Sequence, residues 1–285
     1  MIGFGAILES VETELLGREG VSFSVAAKRV DWEPEDQTCV CWRCAGSVGE
    51  FETDGDGCAT CRNVKLPWDR AMRLGAYEGI VRDAVLDLKF RRWRLSGMQI
   101  GKAFGVEIGQ RIEAMGLKPS EVVVVPIPMT HRRRIRRGVD HTLVLARGVS
   151  ASSGVGVARW IRARNRAEQI GLSATDRIKN MRGAFFVPGS VQKGLAKGLK
   201  SELRAIVVLD DVWTTGATLT EGCRVLRRVI RGISGDNQVE IWGASVAMAG
   251  GERKGGSEIE VKGKLSSKGG EIDPEVESCG LTLRS

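Results

Sequence analysis

The chain lacks any run of about 20 apolar residues that could cross a bilayer as a helix. It lacks a basic stretch at its start as well. "MIGFGAILESVETELLG" is acidic and does not read as a secretory signal. These two absences predict a cytoplasmic protein with no membrane span. A Gly-Lys-Ser/Thr loop is also missing, which excludes the Walker type of phosphate site. Histidine is scarce. His131 and His141 are the only two, and each reads as a surface or hydrogen-bonded residue rather than a general base. No internal repeat is visible, which argues against a solenoid.

What is present is an ordinary soluble composition, 42% hydrophobic and 27% charged, over 285 residues. That length suggests about two domains. The net charge of +8 is uneven: residues 1–38 carry −5, residues 250–285 carry −1, and the middle therefore holds +14. A positive middle attracts polyanions, whether phosphate esters or nucleic acid. The acidic segment 1–38 shows little periodicity and reads as weakly structured. Residues 251–285, rich in Gly, Ser and charge, read as a flexible tail.

Five of the seven cysteines fall between Cys39 and Cys61. Cys41-x2-Cys44 and Cys58-x2-Cys61 form two knuckles, thirteen residues apart. Four thiolates at this spacing make a tetrahedral zinc site with no open position, so the ion would be structural. The polar, glycine-rich link has too little apolar content for a core, and the metal would supply folding free energy. Cys39, two residues before Cys41, is a spare, either an alternative ligand or one that the site does not use. A zinc ribbon is therefore expected over 39–67.

From Trp68 to Gly250 strands alternate with helices. "RLGAYEG" (73–79) alternates as a strand. Ile80, Val81, Ala84, Val85 and Leu88 share one helical face, as do Ile100, Phe104, Ile108 and Ile112. The unalternating runs "VVVV" (122–125) and "IVVL" (206–209), with "VEIWGASVAMA" (239–249), predict strands buried on both faces. A further helix is expected from about Thr142 to Val149. The fold class is α/β, a parallel sheet with helices on both faces. Ligands of such sheets sit beyond the carboxyl ends of the strands.

At one such end stands "IVVLDDVWTTGATL" (206–219). A strand, a glycine-bearing turn and a helix N-terminus make an anion site, because the first backbone N–H groups lack intrahelical partners. Thr214, Thr215 and Thr218, with Gly216 and Ala217, would cradle a phosphate. Asp210 and Asp211 cannot, since carboxylates only accept hydrogen bonds; they suit vicinal hydroxyls or hydrated Mg²⁺. Together these groups describe a ribose 5-phosphate site. Helix capping alone would explain one acid and one threonine, not two acids after an apolar strand. "HRRRIRRG" (131–138) follows the strand at 122–125 at the same sheet edge. Its arginines, among them Arg133, Arg134 and Arg137, match phosphate oxygens or a nucleic-acid backbone.

"IVVLDDVWTTGAT" fits the signature of the phosphoribosyltransferases throughout. "VPIPMTHRRRIRRGVDHTLVLAR" (125–147), "RARNRAEQIGLSATDRIKNMRGAFFV" (162–187) and the CxxC ribbon before "LPW" narrow the likeness. Over about residues 39–249 the chain resembles the ComF family, a competence-associated group with a zinc ribbon and a phosphoribosyltransferase domain. The resemblance implies a type I-like phosphoribosyltransferase sheet over 68–250. It implies PRPP with Mg²⁺ as ligand, pyrophosphate release, and pentosyl transfer to an acceptor. Asp210 and Asp211 would hold the ribose, and the arginines the pyrophosphate. The alternative is a non-catalytic accessory of DNA uptake that binds single-stranded DNA and competence machinery through the same fold. Departures from the family pattern are Val139-Asp140-His141 where Phe-Asn-Gln is usual, Arg166 where Thr is usual, and one CxxC pair fewer.

Overall fold

The computed structural model describes residues 21–49, 51–91, 93–130, 134–135, 137–164, 181–198, 203–234 and 239–250. The tail expected over 251–285, the first 20 residues, His131, Arg133 and Arg166 lie outside the described residues. In chain order the elements are helix α1 (Phe23–Arg29), a hairpin of β1 (Thr53–Asp54) and β2 (Gly57–Cys58), β3 (Arg70–Ala76), α2 (Gly79–Leu86) and α3 (Arg94–Ala114). Next come β4 (Val122–Pro126), α4 (His141–Ser153), β5 (Gly156–Val157), a second hairpin of β6 (Arg162–Ala163) and β7 (Phe185–Phe186), and α5 (Gly189–Gly198). β8 (Ala205–Trp213), α6 (Ala217–Ser234) and β9 (Glu240–Met248) complete the order.

Five strands form a parallel sheet in the order β3-β9-β8-β4-β5. Successive residues of a strand point to opposite faces. Accordingly Ala205, Val207 and Leu209 of β8 enter one core with Phe104, Ile108 and Leu145, while Ile206 and Val208 enter the other with Leu219 and Leu226. Both faces are thus covered, which explains why the strand sequences are apolar runs rather than alternations.

The chain moves outward from β4 to β5 on one side and from β8 to β9 on the other. The switch point lies between β4 and β8, and their carboxyl ends open the crevice where such folds take ligands. The acid pair is not at an exposed strand end, as its sequence position suggests. Strand β8 continues through Asp210 and Asp211 to Trp213, paired with β9 throughout, and Asp210 is only 8% exposed.

Of the acidic segment 1–38, residues 21–38 pack against the sheet domain, unlike the weak structure their composition predicts. Phe23 is buried in the first core and stacks edge-on against Trp32. Glu35 pairs with Arg73, a β3 arginine that is 2% exposed. Arg73 also donates to the Ala45 carbonyl at 3.0 Å and the Ser47 hydroxyl at 2.7 Å, which ties the cysteine-bearing segment to the sheet. A buried guanidinium so fully engaged is costly to break, because any lost partner leaves charge without compensation.

Helices α3 and α4 touch backbone to backbone. A Cβ added at Gly101 would sit 2.5 Å from the Leu145 carbonyl, and one at Gly148 would sit 2.4 Å from the Met98 carbonyl. Only glycine permits that approach.

Candidate functional site

Two sites emerge, a cysteine cluster and the crevice at the switch point.

Cys41, Cys44, Cys58 and Cys61 are all buried, and their sulfurs lie within 4.8 Å of one another. Cys41–Cys61, Cys44–Cys58 and Cys58–Cys61 are separated by 3.7, 3.6 and 3.7 Å. A Zn–S bond of about 2.3 Å implies tetrahedron edges of about 3.8 Å, so the spacing fits zinc. Burial pushes the Cys61 thiol up, and the hydrogen bond to Cys41, with burial, pushes Cys44 up as well. Four thiolates cannot share this volume without a cation. The geometry is built locally. Gly57 adopts a left-handed φ of +96°, and a Cβ there would meet the Cys61 sulfur at 2.7 Å. Arg43 reaches the second knuckle and donates to the carbonyls of Asp56, Cys61, Arg62 and Val64. That fan of contacts closes the knuckle around the sulfurs.

At the crevice, Asp210 and Asp211 follow strand alternation to opposite faces. Asp211 turns to the α4 side, where its Oδ2 is 3.0 Å from the Lys89 ammonium and 3.8 Å from His141 Nδ1. Asp210 turns to the α6 side and accepts a 2.9 Å hydrogen bond from the Asp211 amide. Burial, and then the charge of Asp211, pushes the Asp210 carboxyl up to about 7. The two acids therefore differ in state near neutral pH: Asp211 is an ion-paired carboxylate and Asp210 is poised to titrate.

Beyond Trp213 the chain turns sharply. Gly216 takes a left-handed φ of +69°, and a Cβ there would strike the Trp213 indole nitrogen at 2.6 Å. The Ala217 amide faces the Thr215 hydroxyl at 3.4 Å, and no acid lies in the first turn of α6. Thr214 is exposed, and Thr215 and Thr218 are half-buried. The turn thus offers hydroxyls, amides and the positive end of a helix dipole to an anion.

Exit from β4 fixes the opposite wall. The Ile127 amide donates to the Leu209 carbonyl at 2.8 Å, and the Thr142 hydroxyl donates to the Ile127 carbonyl at 2.6 Å. This pins the start of α4 beside β8. Arg134 and Arg137 lie in the short helical turn before it, with the Gly138 amide bonded to the Arg134 carbonyl. Arg137 reaches His141 Nδ1 at 3.3 Å, so the basic segment and the acid pair share one wall. Arg134 is exposed.

No family model matches the chain. Curated relatives do. Competence protein F of Haemophilus influenzae is 25% identical over 216 residues, which cover 72% of this chain and 84% of that protein. The DNA utilization protein YhgH of Escherichia coli K12 is 27% identical over 195 residues, 65% of this chain and 75% of that protein. The Salmonella typhi protein of the same name is 28% identical over 190 residues. These relatives support a ComF family assignment. The resemblance read from the motifs and this similarity of long stretches agree on the ComF family, and the five-stranded parallel sheet flanked by helices agrees with its expected fold.

Three side chains that shape these two sites have no motif in the sequence. Lys89 continues the apolar face of α2 by one residue and looks like a surface cation. The chain winds as a π turn over Asp87–Arg91, and this brings Lys89 inward to Asp211. Such bulges change the register that helical spacing assumes. Arg43 and Arg73 act through backbone carbonyls and a distant acid, which no local spacing reports.

Proposed function

We propose that this ComF-type chain binds PRPP, or a related phosphorylated ribose, with Mg²⁺ at the switch point, in the service of DNA utilisation or competence. The observation that carries the reading is the β8–Gly216–α6 turn, set beside an acid pair and an arginine-bearing wall at one sheet edge. Thr214, Thr215, Gly216, Ala217 and Thr218 would hold the 5-phosphate. Asp210 and Asp211 would face ribose hydroxyls or Mg²⁺. Arg133, Arg134 and Arg137 would hold the pyrophosphate. Mg²⁺ is bound by one or two carboxylates plus substrate phosphates in most nucleotide sites, and this crevice supplies such carboxylates. The cation would supply charge neutralisation of the leaving pyrophosphate. The chain's own part in a transfer would be to orient the ribose and to stabilise the departing charge with arginines.

In the same reading, Cys41, Cys44, Cys58 and Cys61 hold one structural Zn²⁺. The names of the relatives support the competence and DNA-utilisation setting.

Thermal melting with and without PRPP and Mg²⁺ tests the site. PRPP should raise the melting temperature by mass action, and more so with Mg²⁺. The Asp210→Asn/Asp211→Asn protein should lose that response. No shift of the unsubstituted protein at millimolar PRPP overturns the reading.

One observation favours a second reading. The middle of the chain holds +14, and around β6 and β7 Arg159, Arg162 and Arg164 lie close together, with Arg164 stacked 4.9 Å over the Phe186 ring. Aromatic faces interleaved with arginines suit single-stranded nucleic acid. Oligonucleotide binding should then weaken steeply as salt rises, and absence of binding at low salt would sink the idea.

A further inference from the structure

Two of the seven tryptophans stand in line between the cysteine cluster and the turn after β8. Trp68 is 4% exposed and Trp213 1%. The line starts inside the first knuckle, where Trp42 and Arg43 lie between Cys41 and Cys44. The Trp68 Nε1–H donates to the Arg43 carbonyl at 2.9 Å. The Trp68 ring meets the Trp213 ring edge-on, with centroids 5.0 Å apart and planes at 82°. Trp213 then floors the turn, since its indole nitrogen is the atom that a Cβ at Gly216 would strike at 2.6 Å.

The line is held from its sides as well. Trp68 lies against Gly243 of β9, where an added Cβ would meet the ring at 3.3 Å. The Ala249 amide donates to the Trp213 carbonyl at 2.8 Å, and the Ala71 amide to the Trp42 carbonyl at 2.8 Å. Close-packed interiors transmit a displacement instead of absorbing it. An edge-to-face pair has a preferred geometry and a buried indole N–H seeks its acceptor, so the Arg43 carbonyl sets the tilt of Trp68, and Trp68 that of Trp213. The direction of that carbonyl depends in turn on the ion that gathers Cys41 and Cys44.

We propose that Trp68 and Trp213 are positioning residues that couple the cysteine ribbon to the anion turn. A closed ribbon holds Gly216 and the amides after it in the arrangement that takes a phosphate. An open ribbon lets the floor of the turn shift, and affinity falls. The ribbon thereby controls ligand binding in addition to cross-linking its own segment. The proposal rests on the zinc and phosphate readings of the two sites, but the coupling of the rings can be read without a phosphate ligand.

Two measurements test it. Fluorine NMR of protein carrying 5-fluorotryptophan reads the line directly, with each signal assigned by replacing one tryptophan with phenylalanine. Removal of zinc by a chelator should move the Trp213 signal and leave that of Trp93, at the start of α3, in place. In Trp68→Phe, which keeps an aromatic face but has no N–H, the Trp213 signal should no longer respond. A Trp213 signal that zinc removal does not move, or that still responds in Trp68→Phe, overturns the proposal. Collapse of every signal on zinc removal means that the ribbon supports the whole sheet, and overturns it too. The second measurement is calorimetric binding of ribose 5-phosphate. Zinc removal and Trp68→Phe should each weaken it about fivefold or more. Trp42→Phe should not, because that indole donates to the Asp54 carbonyl at 3.0 Å, away from the line. By linkage, saturating ribose 5-phosphate should raise zinc affinity by the same factor. A packing role alone predicts a lower melting temperature for Trp68→Phe with its affinity intact, and that result overturns the coupling. If the zinc-loaded, unsubstituted protein binds no ribose 5-phosphate, the phosphate reading of the turn fails, and the Trp213 signal alone decides the coupling.

Discussion

Asp210 is the residue whose chemistry depends most on its surroundings. Its carboxyl is pushed up to about 7 by burial and by Asp211, against an ordinary value of about 4. Between those values the folded chain holds a proton that the unfolded chain has released. Stability therefore falls as pH rises from about 4 to about 7, and the cost is complete above 7. Asp210→Asn removes the ionisation and keeps an acceptor for the Asp211 amide. It should stabilise the protein at pH 8 by on the order of 2 kcal/mol, and by much less at pH 5. Urea melts of both proteins at pH 5, 6, 7 and 8 check this. A difference that does not grow with pH would mean that Asp210 is ionised throughout. The same proton competes with any cation at the crevice, so Mg²⁺-dependent PRPP affinity should drop as pH falls below about 7.

At the scale of elements, the ribbon and the sheet depend on different forces. The ribbon's small buried cluster consists of Val48 and the four cysteines, with Leu66 packed against it, too little to fold a segment of this length without a cross-link. Purified, reduced protein should carry about one Zn²⁺ per chain. Cys58→Ser should lose the metal, while Cys39→Ser should retain it; metal analysis that finds no zinc in fresh protein rejects the site. Arg43→Ala should speed zinc release to a chelator, because the second knuckle loses the donor that gathers its carbonyls. The sheet, in contrast, was largely legible in advance. Uninterrupted apolar runs at 122–125 and 206–209, mostly β-branched, pointed to strands covered on both faces, and the glycine turn at 214–218 marked the crevice. The direction of each acid was harder to read. It depends on how far β8 extends, and pairing with β9 carries it past both aspartates to Trp213. Lys89 was hidden by a π turn, and Arg73 by a partner 38 residues away. Long-range contacts between charged groups leave no local period to detect.

For the whole molecule, two cores back to back on one sheet mean that the described fold closes at β9, whose residues from Ile241 to Met248 are buried. Removal of residues 251–285 should leave the melting temperature nearly unchanged, since that segment has no sustained apolar pattern to add to either core. A loss of more than a few degrees would mean that "EIEVKGKL" (258–265) joins the sheet. The tail is close to neutral, so its removal should also leave the salt dependence of oligonucleotide binding as it was.

The glycine seam between α3 and α4 makes the crevice adjustable from a distance. Helix α4 begins at His141 and meets α3 at Gly148, seven residues or about 10 Å along its axis. The seam acts as a fulcrum, with the imidazole at the end of the arm. A single methyl group at Gly148 must wedge the helices apart, and a tilt of only about 10° would swing His141 by about 2 Å, enough to break its contact with Arg137. Gly148→Ala should therefore weaken pyrophosphate binding measured by calorimetry, although residue 148 lies outside the crevice. Substitutions along this seam would tune the crevice by leverage, without changing any group that lines it.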